Sequence, residues 1–571
     1  MSFDHVAEAI RAHLTSLPGW ERLNDLMPDA GLDDGTVSEI LSAAARFAGD
    51  VMEPFGRAAD AAGCRMEDGR VRTAPGHDAV WRAFVEGGWP TLNAPAAYGG
   101  AGLPLVLHSA CEELFNRASP AFGMLATSSR CAARLLEDHA DEAMKAEWLA
   151  PIIAGQWGAT ICISEADAGS DVARIRTMAR PEGPDAEQGG WWRVTGEKMW
   201  ISFGDQDLTD RIGHLLLART PDAPAGTRGL SLFLVPSAID GQPNGVVVRR
   251  IEEKLGLHAS PTCCLGFEDA RAQLVGALHR GLPQLFTMII RMRISVGSQG
   301  AALANAASDL AWGYAAERRQ GGKPDQPPVT IDHHRDVQRQ LMGLAARGEV
   351  TRGLALLVSL LTDLADREED AAAQAEAAAL LGWLLPITKN FAAEAAFTSA
   401  SEAIQVLGGA GYTREWAAEH YLRDARILSI YEGTSGMQAQ DLLHRRLLRD
   451  ETGAFDAFLR VARKDVDAAA DRAAADHLER VVAELSRVSD WMRNAAPADV
   501  DFGAYAYLRL ASLAATGWVA LRLTGLSGDP VRDRLAARGR YWLRMLPAMA
   551  VREAQDATAG ADMLEDFAQA R

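Results

Sequence analysis

The chain has 571 residues, of which 48% are hydrophobic and 23% are charged. These values are typical of a folded globular protein that is longer than one hydrophobic core, so several cooperating domains are expected. The formal net charge of -18 argues against nucleic acid as a partner, because binding to a phosphate backbone needs a basic stripe.

Three further features limit the location and the chemistry of the protein. The six cysteines form no CxxC pair and no metal-binding spacing with histidine, which predicts reduced core thiols and no metal site. The N-terminus has no basic region followed by an apolar run, so we expect a cytoplasmic protein. The apolar run at residues 510–521 ends at an arginine on each side and is shorter than the roughly 20 residues that cross a bilayer, which predicts no membrane span.

The pattern of apolar residues changes along the chain and predicts four domains. In residues 1–155 apolar side chains recur at helical spacing, which predicts an N-terminal helical domain. Residues 156–276 contain short β-rich runs between turn residues, which predicts a small antiparallel sheet, either a barrel or a sandwich. Helical patterns return as a bundle in residues 277–449 and continue as an extra helical domain in residues 450–571. The predicted fold class is α+β, mainly α.

Two segments of the β-rich region have a pattern that suits a ligand. The segment ICISEADAGSDVARIRT at residues 161–177 puts Gly169 and Ser170 in a polar turn after an apolar strand, where backbone N–H groups and hydroxyls are accessible. The second segment, GEKMWIS at residues 196–202, follows about thirty residues after the first. Taken alone, Trp200 in that segment would be an ordinary core tryptophan.

The third segment, residues 403–438, is rich in glycine and ends in the run YEGTSG. Gly408, Gly409 and Gly411 leave out side chains where a backbone approaches a ligand closely. A helix N-terminus near these glycines would favour a pyrophosphate. The YEGTSG run contains Glu432, which on its own would be read as a solvated surface glutamate.

Together these segments resemble the acyl-CoA dehydrogenase family over roughly residues 43–449. The resemblance implies a helical, β and helical domain order, FAD as the cofactor and an acyl-CoA thioester as the substrate. The extension is similar to that of a longer subgroup, which includes enzymes acting on 3-methylthiopropionyl-CoA, and the stretch at residues 204–237 looks particularly like theirs.

The resemblance also assigns roles to individual residues. Glu432 corresponds to the catalytic base, while Ser170, Arg293 and Gly433 correspond to positions that contact the substrate. It implies that Trp200 packs near the flavin and that Ser202 reaches its N5 atom. The residues implied to contact FAD are Ile161, Ile163, Ser164, Gly169, Ser170, Trp200, Ser202, Arg318, Gln405, Gly408, Gly409, Thr434 and Ser435. The resemblance further implies that residues 405–409 and Arg318 act across a dimer interface.

Some branches of the family have their base one residue before the arginine that resembles Arg293. Here that position is Met292, so Glu432 has no rival. Two positions depart from the common pattern, because Gly436 replaces a glutamine and Gly321 replaces an aromatic residue. These departures concern the adenine side of the FAD site.

The resemblance implies a mechanism in which Glu432, with a pKa raised by burial, removes the α-proton of the thioester. A hydride then passes from Cβ to flavin N5, and the product is a trans-2-enoyl-CoA. We expect an electron-transfer flavoprotein as the electron acceptor, whereas oxygen would make the protein an acyl-CoA oxidase. A catalytically silent flavin-binding scaffold is the alternative from another class. A helical carboxylate metalloprotein is excluded, because no Glu-x-x-His pair recurs.

The extension carries amphipathic helical patterns without a recognised catalytic motif. Its apolar stripes must be buried, and it could cover the surface through which shorter members of the family form tetramers. We therefore expect a homodimer.

Overall fold

The computed structural model describes residues 3–571 and divides them into two compact units. The first unit contains residues 46–104 and 118–295, and includes the main β-sheet. The second unit contains residues 3–45, 105–117 and 296–571, and is mainly helical. The predicted fold class, α+β and mainly α, is confirmed. The four predicted domain ranges stay a prediction.

The main sheet of the first unit has seven strands. Strand Leu230–Pro236 pairs with both Thr262–Leu274 and Arg211–Arg219, and these pairings close a ring with Trp192–Ser202 and Met178–Pro181. Of the two predicted alternatives, a barrel and a sandwich, the barrel is observed. The two other strands, which lie at the ends of the sheet order, are Trp157–Cys162 and Val246–Ile251.

Five strand pairs are antiparallel, as predicted, but two are parallel. Strand Arg211–Arg219 runs parallel to Trp157–Cys162 and to Met178–Pro181. The prediction of a purely antiparallel sheet was wrong in this detail. Parallel strands are usually buried on both faces and have continuous apolar sequences, as in the central residues of Arg211–Arg219.

Two apolar clusters explain why that strand is buried on both sides. Leu216 and Ala218 belong to a cluster formed by the strands, together with Val194 and Phe267. Leu215 belongs to a different cluster, which the strands share with helices of the same unit. Alternate residues of one strand therefore pack on opposite faces. The helices of this unit are Glu53–Ala62, His77–Glu86, Pro120–His139 and Glu142–Ile153, and the long helix Gly281–Glu317 contributes to both units.

In the second unit, helices Arg335–Arg367 and Ala371–Leu407 pack against each other and also contact the helices of the extension. The remaining α- and π-helices that lie wholly or mainly in this unit are Asp4–Leu14, Trp20–Leu26, Asp34–Phe47, Leu105–Ala118, Ala418–Ala425, Ser435–Gln440, a π-helix at Asp441–Leu448, Ala454–Ala468, Arg472–Asn494, Pro497–Thr524, Pro530–Ala557 and Phe567–Ala570.

A buried ionic network fixes the extension to the bundle. Arg352 donates to Glu113 at 2.7 Å and to Glu349 at 2.6 Å, and all three side chains are buried. Glu349 also contacts His13 at 3.0 Å and accepts a hydrogen bond from Arg538, which belongs to the extension. Because an isolated buried charge is very costly, each member of this network needs the others. The extension is therefore part of the packed unit.

One described helical segment, Ala371–Tyr412, passes a length and composition test for a membrane span, with a mean hydropathy of 1.2. Of its most apolar window, 56% is buried inside the protein, and a core helix passes the same test. The apolar run at residues 510–521 lies in helix Pro497–Thr524, whose side chains there are mostly buried.

Candidate active site

In the β-sheet unit, the first predicted segment leaves strand Trp157–Cys162 and enters a turn closed by a bridge between Glu165 and Ala168. Ile161, Ile163 and Ser164 are half-buried on the way into this turn. Gly169 and Ser170 are exposed, and a side chain added at Gly169 would meet nothing within 4 Å. The backbone of the turn is therefore accessible, as the sequence predicts.

The carboxylate of Glu165 ties this turn to the chain that follows it. It accepts hydrogen bonds from the backbone N–H of Arg176 at 2.7 Å and of Thr177 at 3.1 Å. The hydroxyl of Thr177 donates to it at 2.6 Å. The carboxylate of Glu165 therefore holds the loop in place.

Lys198 completes this arrangement from the neighbouring strand Trp192–Ser202. Its side chain is 0% exposed, and its ammonium donates to Glu165 at 2.8 Å and to the carbonyl oxygen of Ile163 at 2.9 Å. Burial lowers the pKa of Lys198, although Glu165 opposes that shift. Burial acts to raise the pKa of Glu165, but Lys198 and the hydrogen bonds from Thr177 and Arg176 outweigh it, so that pKa is lowered. Sequence reasoning did not identify Lys198.

Trp200 is not a core residue, because 59% of it is exposed. It has a φ of +66°, which is rare for a bulky residue, and it lies where the pairing of strand Trp192–Ser202 with strand Thr262–Leu274 shifts in register. The backbone N–H of Met199 donates to the carbonyl oxygen of Ser164 at 2.9 Å, which joins the two predicted segments. The irregularity therefore turns the indole out of the sheet and beside the first segment.

These two segments fit a flat heteroaromatic ring such as that of FAD. Ile161, Ile163 and the exposed indole of Trp200 offer apolar surface, while Ser164 and the half-buried Ser202 offer hydroxyls. A ring with apolar faces and polar edges needs both kinds of contact. An exposed indole in a strained backbone is also a common feature of binding sites.

In the helical unit, Glu432 lies in the turn before helix Ser435–Gln440. Glu432 has a φ of +54° and Gly433 has a φ of +92°, so two successive residues adopt the left-handed region. Such a conformation is strained for glutamate and is found where the surroundings hold it in place. Thr434 caps the helix by accepting a hydrogen bond from the N–H of Met437 at 3.4 Å.

Two buried side chains donate hydrogen bonds to the main chain of this turn. The ammonium of Lys389 donates to the carbonyl oxygen of Gly433 at 2.7 Å. The amide of Gln438 donates to the carbonyl oxygens of Gly433 at 3.1 Å and of Glu432 at 3.2 Å. Lys389 and Gln438 are both 0% exposed. The peptide groups on either side of Gly433 are therefore fixed, by residues that the sequence did not reveal.

Tyr431, the residue before Glu432, is a polar neighbour of its carboxylate. Its hydroxyl donates to the side-chain oxygen of Gln299. Burial, together with the negative charges of Glu432 and Glu112, raises the pKa of Tyr431 well above its usual value. Tyr431 therefore stays protonated and acts as a hydrogen-bond donor.

The glycine-rich segment follows a helix C-terminus, and the next α-helix begins at Ala418. Helix Ala371–Leu407 ends at this segment, and residues Gly408–Tyr412 form a short 3-10 helix. Gly408 has a φ of +63°, which favours glycine as the residue that ends a helix. A side chain added at Gly409 would meet nothing within 4 Å, whereas one at Gly411 would lie 2.8 Å from Leu407.

The remaining predicted residues are on the helix Gly281–Glu317 or just beyond it. Arg293 is half-buried, and Met292 before it is packed in the apolar cluster of the β-sheet unit. Arg318 is exposed immediately after the end of the helix. The predicted residues fall into two sets, one in each unit. The β-sheet unit contains Ile161, Ile163, Ser164, Gly169, Ser170, Trp200, Ser202 and Arg293, and the helical unit contains Arg318, Gln405, Gly408, Gly409, Glu432, Gly433, Thr434 and Ser435.

Comparison with known proteins gives matches along most of the chain. The family models for the N-terminal, middle and C-terminal domains of acyl-CoA dehydrogenase match residues 36–156, 160–270 and 279–448. A relative in Ruegeria pomeroyi, 3-methylmercaptopropionyl-CoA dehydrogenase, is 39% identical over 447 residues, which are 77% of this chain and 74% of the relative. The broad-specificity linear acyl-CoA dehydrogenase FadE5 of Mycobacterium tuberculosis is 37% identical over 65% of this chain and 62% of its own length.

Solved structures support the fold. Caenorhabditis elegans ACDH-11 in complex with C11-CoA has a TM-score of 0.80 at 20% identity and covers 92% of this chain and 90% of its own. The FAD complex of an acyl-CoA dehydrogenase from Bacillus anthracis has a TM-score of 0.76 at 19% identity, over 94% and 90% of the two chains. Because both structures cover more than nine-tenths of this chain, the aligned regions include residues of the extension. The chain therefore belongs to the acyl-CoA dehydrogenase family, which confirms the resemblance found in its sequence and makes it an FAD-dependent oxidoreductase.

Proposed function

We propose that this protein dehydrogenates an acyl-CoA thioester between Cα and Cβ, and that Glu432 is the base that removes the α-proton. The observation that carries this proposal is the strained turn at Glu432 and Gly433, held by the buried side chains of Lys389 and Gln438. A surface glutamate in a loop would not need such support. The reaction removes one proton and one hydride from the substrate and leaves a trans-2-enoyl thioester.

The residues of the turn would each perform part of the proton transfer. The carboxylate of Glu432, which is half-buried, accepts the proton. Gly433 leaves room for the thioester, because it has no side chain. The fixed peptide groups around Gly433 keep their N–H groups in one orientation, which suits the stabilisation of a developing enolate oxygen.

FAD, when bound, supplies the acceptor for the hydride that leaves Cβ. The residues that would hold its ring are Trp200, Ile161, Ile163 and Ser202, which combine apolar surface with a hydroxyl. Gln405, Gly408, Gly409 and Arg318 are all exposed in this chain. Their exposure is consistent with the proposal, from the family resemblance, that they contact FAD in a partner subunit of a homodimer.

Among acyl-CoA substrates we favour 3-methylthiopropionyl-CoA or another short or medium acyl-CoA. The support is the activity for which the Ruegeria pomeroyi relative, at 39% identity, is named, with the broad-specificity linear acyl-CoA dehydrogenase as a second relative. A panel of acyl-CoAs with a dye acceptor tests this choice. If the panel is run with and without oxygen, it also distinguishes the proposed use of an electron-transfer flavoprotein from an oxidase. A cytoplasmic location stays a prediction.

The decisive experiment is the substitution Glu432→Gln in the FAD-loaded enzyme. The amide cannot accept the α-proton, so we expect kcat to fall by about 10²–10⁴-fold or more while acyl-CoA still binds and perturbs the flavin spectrum. Glu402→Gln is the matched control, because Glu402 is a half-buried glutamate of the same unit that pairs with Arg347 at 2.7 Å. A Glu432→Gln enzyme with kcat within about tenfold of wild type would exclude Glu432 as the base.

A further inference from the structure

The motif GDQDLTD at residues 204–210 has no role in the proposed chemistry, although it begins the stretch that looks most like the longer subgroup. It joins strand Trp192–Ser202 to strand Arg211–Arg219 in the β-sheet unit. Asp205 is 6% exposed and Gln206 is 1% exposed, which is unusual for polar side chains in a loop. Because buried polar side chains are normally hydrogen-bonded, the motif should hold another part of the chain.

Asp205 binds a two-stranded hairpin, which is formed by strands Arg65–Glu67 and Arg70–Arg72. Its carboxylate accepts hydrogen bonds from the guanidinium of Arg70, the shortest at 2.7 Å, and from the backbone N–H of Val71 at 2.8 Å. A carboxylate that both oxygens tie to one arginine has a well-defined orientation. The bonded residues are 134 and 135 positions apart, so the contact joins two distant segments of the unit.

Two further side chains of the motif fix the loop. Asp207 accepts hydrogen bonds from the hydroxyl of Thr73 at 2.7 Å and from its backbone N–H at 3.2 Å. Gln206 closes the loop on itself, because its side-chain oxygen accepts a hydrogen bond from the backbone N–H of Thr209 at 3.0 Å. The loop is therefore fastened both to the hairpin and to the residue that follows it.

The chain that links Ser202 to the motif is tightly packed. Phe203 is 0% exposed, has a φ of +50°, and donates its backbone N–H to the carbonyl oxygen of Pro261 at 2.7 Å. A side chain added at Gly204 would lie 2.9 Å from the Cβ atom of Cys263, so that position has no spare room. A displacement of the loop would therefore be transmitted to the end of the strand.

The hairpin also shares an apolar cluster with the segment that carries Trp200. Val71 is 1% exposed and belongs to the same cluster as Ile201, which lies between Trp200 and Ser202 in the sequence. A strained backbone such as that of Trp200 persists only when its surroundings over-determine it. Strand pairing holds the chain up to Ser202, and the contacts of Asp205 hold the chain after it.

We propose that Asp205 is a positioning residue for the FAD ring, because its bonds to hairpin residues 70–71 fix the backbone of residues 200–202. This inference rests on the proposed role of Trp200 and Ser202 as contacts of that ring. The carboxylate does not need to touch FAD for this role. A binding site is precise only when neighbouring groups hold its contact residues in place. Loss of the Asp205 contacts should therefore loosen the segment and weaken the binding of FAD.

The first test compares Arg70→Met with Arg193→Met in the full-length, FAD-loaded protein. Arg70 pairs with Asp205 at 2.7 Å. Arg193 is the matched control, because it is also partly exposed and pairs with Glu182 of the same unit at 2.9 Å. Hydrogen–deuterium exchange of residues 199–204 should accelerate by about threefold to tenfold in Arg70→Met and stay at the wild-type rate in Arg193→Met. Release of FAD on dilution, followed by flavin fluorescence, should increase only in Arg70→Met.

The second test is a series of substitutions at Asp205. Asp205→Ala should release FAD faster than Arg70→Met, because it also removes the acceptor of the Val71 N–H, and Asp205→Asn should lie between wild type and Asp205→Ala. The double variant with Arg70→Met should release FAD no faster than Asp205→Ala alone, since both residues act through one contact. The absorbance spectrum of the FAD that stays bound should change in Asp205→Ala, whereas a role in stability alone would leave it unchanged.

Unchanged exchange at residues 199–204 in Arg70→Met and Asp205→Asn, or equal effects of Arg70→Met and Arg193→Met, would overturn the inference. These variants keep the test valid if Asp205→Ala folds poorly. Trp200→Ala separates the inference from the proposal on which it rests. If Trp200→Ala retains FAD as wild type does, the proposed FAD contact of Trp200 fails, and the inference fails with it. If Trp200→Ala loses FAD but the Arg70→Met exchange is unchanged, only the role of Asp205 fails.

Discussion

The β-sheet unit and the helical unit each present a proposed functional side chain on a strained backbone. Trp200 has a φ of +66° and Glu432 has a φ of +54°. In both units a lysine that is 0% exposed donates a hydrogen bond to a main-chain carbonyl oxygen near this side chain. Lys198 donates to Ile163 at 2.9 Å, and Lys389 donates to Gly433 at 2.7 Å. An ammonium is an effective support, because it offers several donors from a single point.

The two lysines differ in what they hold. Lys198 also binds the Glu165 carboxylate at 2.8 Å, and Glu165 ties down the loop through Arg176 and Thr177. Lys389 donates directly to the residue next to Glu432. The first lysine therefore secures a loop of the fold, whereas the second fixes the backbone next to Glu432, the proposed base. Loss of Lys198 should mainly reduce stability, and loss of Lys389 should mainly reduce the rate.

The largest effect on stability is expected for Lys198→Met. This change leaves the Glu165 carboxylate partly buried without its ammonium partner, which should cost about 3–5 kcal/mol. The denaturant midpoint of the sheet unit, followed by tryptophan fluorescence, measures the loss. Lys145→Met is the control, since Lys145 forms a pair with the exposed Glu142 that should contribute less than about 1 kcal/mol. Equal denaturant midpoints for Lys198→Met and Lys145→Met would show that the buried lysine contributes no more to stability than the surface lysine.

Lys389→Met should have a smaller effect on stability and a larger effect on turnover. Loss of a donor to a buried carbonyl oxygen costs about 1–3 kcal/mol, while a catalytic group displaced by about 1 Å can lose ~100-fold in rate. Steady-state kinetics of the folded, FAD-loaded variant gives kcat, and a denaturation curve gives the stability. A variant that loses as much stability as Lys198→Met but keeps the wild-type kcat would contradict the comparison.

The contribution of the Glu165 carboxylate to stability should also depend on pH. Its pKa is lowered from an ordinary value of 4.5, so the stability it contributes is complete above that value and is lost as the pH falls through the folded-state pKa. Glu165→Gln should be less stable than wild type at neutral pH, and the difference should shrink on acidification below about pH 4.5. Thermal midpoints of both proteins across this pH range test the sign, and a difference that grows with acid would refute it.

The smallest effect on the folded chain is expected for Gly409→Ala. An added side chain there would meet nothing within 4 Å, whereas one at Gly411 would lie 2.8 Å from Leu407 and should destabilise the chain. If Gly409 approaches FAD of a partner subunit, Gly409→Ala should weaken FAD retention at an unchanged thermal midpoint. Flavin absorbance after gel filtration gives the retention. Full retention of FAD would leave Gly409 as an ordinary surface residue.

The sequence predicted much of this fold because long motifs and regular patterns carry that information. Short β-rich runs identified the sheet domain, and helical spacing identified the bundle and the extension. The parallel pairs were missed because pairing partners depend on long-range topology. The glycines at residues 408–411 suggested a pyrophosphate at a helix N-terminus, but a glycine that ends a helix has the same local pattern.

The buried residues that support the site were harder to predict than the residues proposed to contact the substrate or FAD. Lys198 lies on the same face of its strand as Trp192 and Val194, both buried, so alternation could have placed it inside. Lys389 lies in a similarly apolar helix. A lone lysine in an apolar pattern is usually assumed to reach solvent, since burial of its charge is costly. The partner groups that offset this cost come from distant parts of the chain, and only the structure identifies them.

Because Trp200 is exposed, its fluorescence can serve as an intrinsic probe of FAD binding. Of the 14 tryptophans, Trp200 is the most exposed at 59%, while Trp148, Trp383, Trp518 and Trp542 are fully buried. An indole in water emits at a longer wavelength than a buried one, and a flavin that covers it would quench that emission. A Trp200→Phe variant identifies the contribution of this residue to the spectrum. Loading with FAD could then be followed by fluorescence in the absence of any substrate.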